Sequence, residues 1–72
     1  MGHVSPITLR LQELRERRKL SQAELARRSG VSQATVSRIE AGMTKGVDLA
    51  TLERLADALG VSPRSLLKSS KR

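Results

Sequence analysis

The sequence predicts an all-α fold, a compact bundle of five short helices, and three features predict it. Apolar residues recur three and four apart along the chain, start and stop signals interrupt that pattern at short intervals, and the apolar set is aliphatic, with no Phe, Tyr or Trp. Aliphatic side chains suit short helices packed closely together. With 72 residues the chain makes one domain at most. A domain of that size buries only about 60% of the surface its unfolded chain exposes, so its stability is modest.

Ile7, Leu11 and Leu14 follow Pro6 at helical spacing, with Arg10, Glu13, Arg17 and Arg18 elsewhere on the same cylinder, and predict an amphipathic first helix ending near Lys19. Ser21-Gln22-Ala23-Glu24 has the form of a capping box, in which the Ser21 hydroxyl accepts from the Glu24 amide and the Glu24 carboxylate accepts from the Ser21 amide. A second helix starts there and runs through Leu25 and Ala26 to about Ser29, where Gly30 can take the left-handed conformation that stops a helix at no steric cost. Ser32 is a further N-cap. It leads into a third helix through Glu40, with Val36 and Ile39 three apart for inward packing, and Gly42 closes it. Met43 to Val47 read as a loop. Asp48 caps a fourth helix whose Leu52, Leu55, Ala56 and Leu59 form one stripe, and Gly60 ends it. Ser62 and Pro63 open a short fifth helix anchored by Leu66 and Leu67, with Pro63 at the first helical position, where a missing amide hydrogen costs nothing. Residues 1–6 are expected to form a flexible lead, 7–67 the folded domain, and 68–72 a basic, disordered tail with no apolar face.

Fourteen Lys and Arg against seven Asp and Glu give a formal charge of +7, and the sequence pI is near 11.4. Such a domain attracts polyanions, although charge alone does not separate DNA from RNA or anionic lipid. The absence of aromatic rings does some of that separating. Single-strand binders and most RNA-reading sheets stack bases on aromatic side chains, and this chain has none to offer. Cysteine is missing and the single histidine is His3, so no disulfide, metal site or cofactor is expected. An enzyme is not expected either, because there is no nucleophile elbow, paired catalytic base, metal cluster or Gly-rich phosphate loop. No apolar run approaches a membrane span and no signal-peptide pattern is present, which predicts a soluble, cytoplasmic protein with no membrane partner.

Two short helices joined by about three residues around Gly30 must cross steeply, as in a helix-turn-helix. Ala26 is small where the two helices approach, Gly30 falls at the turn, and Val36 and Ile39 seal the second helix of the pair from behind. The stretches Leu20-Ser21-Gln22-Ala23-Glu24-Leu25-Ala26, Val36-Ser37-Arg38-Ile39-Glu40-Ala41-Gly42 and Leu52-Glu53-Arg54-Leu55-Ala56-Asp57-Ala58-Leu59-Gly60-Val61-Ser62 complete the pattern. Together they resemble the lambdoid phage repressor and Cro type of helix-turn-helix, also called the xenobiotic response element family. The resemblance runs from Leu20 to Leu67, about two thirds of the chain.

The resemblance implies a prokaryotic transcriptional regulator, a repressor, whose third helix enters the major groove of double-stranded DNA and reads base edges with Gln33, Ala34, Thr35, Ser37 and Arg38. A glutamine amide at Gln33 can match adenine N6 and N7, Arg38 can fork onto guanine O6 and N7, and Ala34 can meet a thymine methyl. Thr35 fits a phosphate contact at the helix start, where backbone amides favour an anion. In the family a glutamine at the position of Gln22 touches phosphate and can orient the one matching Gln33. Arg10, Arg17, Arg27 and Lys45 are further phosphate candidates, each equally compatible with an ordinary surface charge. By the same resemblance Arg15 and Glu40 form a partly buried ion pair tying the first helix to the end of the reading helix.

The loop after the third helix departs from the phage pattern. Ala41, Met43, Gly46 and Asp48 stand where some repressors carry polar or basic phosphate contacts, which leaves Lys45 as the main charged one. A homodimer on an inverted repeat is implied because one such domain offers few base contacts, with Pro63, Leu66 and Leu67 of the fifth helix at the expected seam, though leucines at that spacing suit a core equally. A second reading is an antitoxin or a protein-bridging module of the same fold, whose main partner is a toxin or another protein. Partner binding that survives replacement of Gln33 and Arg38 by Ala distinguishes the two.

Overall fold

A computed structural model describes residues 6–67, and among them lie five α-helices and no strand: α1 (Pro6–Arg17), α2 (Gln22–Ser29), α3 (Gln33–Glu40), α4 (Leu49–Leu59) and α5 (Pro63–Leu67). Apart from Pro6, which begins α1, the expected lead and basic tail lie outside the described residues, as do the side chains of Ile7 and Leu67. None of these helices is long and apolar enough to cross a membrane.

Local chemistry sets most of the boundaries. The Ser21 hydroxyl accepts from the Glu24 amide at 3.0 Å while the Glu24 carboxylate accepts from the Ser21 amide at 2.8 Å, so the capping box is complete. Ser32 accepts from the Thr35 amide at 3.1 Å and Asp48 from the Thr51 amide at 3.0 Å. Each cap gives a partner to an amide that the helix itself cannot satisfy. At the other end of α2, Gly30 turns left-handed (φ 78°) and its amide donates to the Ala26 carbonyl at 2.9 Å.

Helix α1 ends earlier than the sequence predicts, at Arg17 rather than near Lys19. Lys19 adopts a left-handed backbone (φ 56°), a conformation that costs a residue with a Cβ about 1–2 kcal/mol. Its amide donates to the Glu16 carbonyl at 2.9 Å and the Leu20 amide to the Arg15 carbonyl at 3.2 Å, the bond pair of a Schellman turn. That turn brings the Leu20 carbonyl within 2.7 Å of Arg15 Nη1.

All five helices feed one aliphatic core. Leu11, Leu25, Ala26, Val31, Val36, Ile39, Leu52, Leu55, Ala56, Leu59 and Leu66 are buried, with Leu14, Leu20, Val47, Ala58 and Val61 packed around them. Helix α2 rests on α3 and α4, α1 on α3 and α5, and α4 on α5, so the α2–α3 pair is braced from behind. Ser29 is the buried polar residue of this interior: its hydroxyl donates to the Ala26 carbonyl and accepts from the Val31 amide, both at 3.2 Å, and so stitches the tight turn.

The core corrects one expectation. Leu66 is completely buried within its own chain, where it anchors α5 against α1 and α4, so it offers no surface to a dimer seam. Pro63 is half-buried, and the side chain of Leu67 lies outside the described residues.

Candidate nucleic-acid interface

Burial of Val36 and Ile39 fixes the rotation of α3 about its axis and decides what it shows to solvent. Gln33, Ala34, Ser37 and Arg38 are exposed, with Ser37 one turn beyond Gln33 and Arg38 one turn beyond Ala34, so the four make a single outward face. Among the described residues the side chains of Gln33 and Arg38 make no hydrogen bond or ion pair. Thr35 sits half-buried at the flank, its hydroxyl accepting from Ser32 Oγ at 2.8 Å beside the first turn. The arrangement presents one adaptable amide, one methyl, two hydroxyls and one guanidinium on a rigid cylinder.

Behind the end of α3 lies a polar cluster. Arg15 donates through Nε to Glu40 Oε2 at 2.6 Å and through Nη2 to Glu40 Oε1 at 3.0 Å, a two-pronged ion pair between α1 and α3. Its Nη1 holds the Leu20 carbonyl, and the Gln22 amide nitrogen donates to Glu40 Oε1 at 2.9 Å. The side chains of Arg15 and Glu40 are only 12% and 5% exposed. Hydrogen bonding to Glu40 raises the Arg15 pKa above the ordinary guanidinium value, against the opposing effect of burial. Gln22, half-buried in the first turn of α2, thus has Glu40 as its partner in the free protein.

The basic residues divide into two groups. Arg10 is engaged by Glu13 (3.6 Å) and by the Ser65 carbonyl (3.4 Å), and Arg17 by Glu13 (3.0 Å), so both are held on the α1 side of the domain. Arg27 and Lys45 are exposed and enter no ion pair among the described residues. Arg28, which no sequence motif singles out, shares that state. It adjoins Arg27 in the last turn of α2, where cations also suit the negative end of the helix dipole.

Comparison with known proteins adds a family. The helix-turn-helix pattern matches residues 11–66. Over 57 residues the chain is 46% identical to the HTH-type transcriptional repressor RghR of Bacillus subtilis (strain 168), covering 79% of this chain and 42% of that protein. Among solved structures it is similar to the restriction-modification controller protein C.AhdI from Aeromonas hydrophila, at 39% identity and a TM-score of 0.79 over 85% of this chain and 91% of that one. The master regulator for biofilm formation SinR, solved in complex with DNA, is similar at 31% identity and a TM-score of 0.81 over 86% of this chain and 98% of that one. A domain of this shape also occurs inside an enzyme: hydroxypropylphosphonic acid epoxidase from S. wedmorenis matches at 31% identity and a TM-score of 0.80, over 89% of this chain and 34% of the epoxidase. The chain spans about half the length of the first curated relatives it matches, 48% and 42%.

Proposed function

This chain belongs to the helix-turn-helix family, and we propose that it binds double-stranded DNA through α3 in the major groove and regulates transcription, as a repressor, from an inverted-repeat operator. The observation that carries the proposal is the outward face of α3: four exposed side chains able to read bases stand on a helix whose opposite side is locked into the core. The relatives point the same way, RghR being a repressor and SinR having been solved on DNA.

In this reading Gln33 pairs with adenine N6 and N7, Arg38 forks onto guanine O6 and N7, Ala34 meets a thymine methyl, and Ser37 bonds a base edge beside them. Thr35 and the amides at the start of α3 face phosphate, with Arg27, Arg28 and Lys45 supplying unpaired positive charge and Gln22 a neutral phosphate contact from α2. Arg10 and Arg17 contribute less, because each must first leave the partners it has within the domain. Two copies on one operator place their α3 helices about 34–36 Å apart, one turn of DNA. The site of action is the nucleoid in the cytoplasm. Catalysis forms no part of the proposal, even though the epoxidase includes a domain of this shape.

Selection of bound sites from random duplex DNA, followed by affinity measured against salt, tests it. A short inverted repeat is expected, with log affinity falling by about 0.9 per phosphate neutralised for each decade of salt. No preferred site, or a flat salt response, overturns the proposal.

A further inference from the structure

We propose that Glu40, beyond closing the ion pair with Arg15, is a positioning residue for DNA binding: it decides which end of the Gln22 amide faces the phosphate backbone. The inference rests on the reading that α2 and α3 bind DNA. Its basis is a chain of fixed hydrogen bonds. Arg15 is held by three of them, two to Glu40 and one to the Leu20 carbonyl, so it cannot swing without breaking all three. Glu40, 5% exposed, is therefore fixed in turn, and its Oε1 accepts from Gln22 Nε2 at 2.9 Å.

A carboxylate can only accept, whereas an amide can donate from one end and accept at the other. Glu40 thus compels Gln22 to turn its nitrogen toward it and forbids the flipped rotamer, which would set the carbonyl oxygen against two carboxylate oxygens. An amide nitrogen carries two hydrogens. One is used on Glu40, and the second remains available to another acceptor; Gln22 is itself the first residue of α2, the helix that crosses the DNA backbone in a helix-turn-helix. Phosphate oxygens need donors, so the orientation imposed by Glu40 is the one a phosphate can use. In its absence half the amide orientations would present an acceptor to an anion. The helix α1, which stands behind the reading helix, therefore prepares a contact made by α2.

Two measurements on the whole chain test this. In the free protein, the side-chain amide hydrogens of Gln22 should exchange with solvent more slowly than those of the exposed Gln33, and Glu40→Gln should erase the difference, because a neutral amide can turn either end toward Gln22. On the selected operator, Gln22→Ala and Glu40→Gln should each weaken binding by about tenfold, and the double variant should be no weaker than either alone. The salt slope should stay unchanged in Gln22→Ala, since Gln22 carries no charge. Glu40→Asp keeps the charge beside Arg15 but shortens the reach to Gln22, and gives the same comparison if Glu40→Gln does not fold. Equal exchange rates for Gln22 and Gln33 in the wild type, or losses that multiply in the double variant, overturn the role of Glu40. A wild-type chain with no operator at all instead sinks the DNA-binding reading, while the exchange measurement still decides whether Glu40 orients Gln22.

Discussion

Helix α1 and the α2–α3 pair both carry several arginines, yet they use them in opposite ways. On α1, Arg10, Arg15 and Arg17 are all engaged, by Glu13, Glu16, Glu40 and the carbonyls of Leu20 and Ser65. On the α2–α3 side, Arg27, Arg28 and Arg38 enter no ion pair among the described residues. Each region carries three arginines and two glutamates, so neither net charge nor the number of acids distinguishes them; what the acids hold does, because Glu24 caps α2 and Glu40 is taken by Arg15 of α1. Positive charge that is already neutralised holds the domain together, and positive charge left unpaired is what a polyanion meets.

The sharpest way to break that comparison is to remove the acid at its centre. Glu40→Ala leaves the Arg15 guanidinium largely buried without its partner, at an expected cost of about 3 kcal/mol and a drop in Tm on the order of 15 °C. A negligible shift in thermal melting would mean that the pair behaves as an exposed one, and the structural role of α1's charge would be lost.

Next in size are the base-reading positions. Gln33→Ala and Arg38→Ala should each lower operator affinity by about 1–3 kcal/mol while leaving thermal stability within about 0.5 kcal/mol of the wild type. Should either variant melt as early as Glu40→Ala, α3's outer face is structural and the contrast fails.

A smaller effect separates the cations themselves. Arg27→Ala or Arg28→Ala should reduce the salt slope of binding by about 1, whereas Arg17→Ala, already paired with Glu13 on the surface, should leave the slope intact and change stability by under about 1 kcal/mol. Equal slopes for all three variants would erase the distinction between paired and unpaired charge.

The mildest test uses acid. The Ser21 backbone and hydroxyl hold the Glu24 pKa below the usual carboxylate range, and the hydroxyl and amide of Thr51 do the same for Asp48. A depressed pKa in the folded state means that the unfolded chain takes up protons first as pH falls. The contribution of both groups is therefore complete above the ordinary carboxylate pKa of about 4 and is lost on descending through the lowered folded values. Thermal melting followed from neutral pH into that window should show a decline, shallower in Glu24→Gln. A melting temperature that is constant through the window, or a decline of equal steepness in the variant, counts against these caps.

Much of this was legible in advance, and the misses have identifiable causes. Ser21, Ser32 and Asp48 announce three helix starts, and Gly30 and Gly60 two helix ends, because each acts on backbone groups within about four residues. The engagement of Arg10 and Arg17 was equally open to reading, since Glu13 lies three residues after one and four before the other, a spacing that brings side chains together on any helix. Lys19 was not legible. A non-glycine residue turns left-handed here in a turn that also presents the Leu20 carbonyl to Arg15. Leu66 was ambiguous in principle, because a leucine three residues after Pro63 on a short helix looks the same whether it faces a partner or its own core. Arg18 shows a further long-range effect: its guanidinium lies over Gly60, where a Cβ would come within 3.2 Å of it, a proximity that no local pattern records.

By itself the sequence determined where helices begin and end and which side of each is apolar, because those properties are settled by neighbours one turn away. Only the tertiary structure brought Arg15 to Glu40 and Arg10 to the Ser65 carbonyl, turned Leu66 inward, and tied the Gln22 amide to Glu40. Those outcomes join residues 18, 25 and 55 positions apart, as in Gln22–Glu40, Arg15–Glu40 and Arg10–Ser65, and they exist only once five helices share one core.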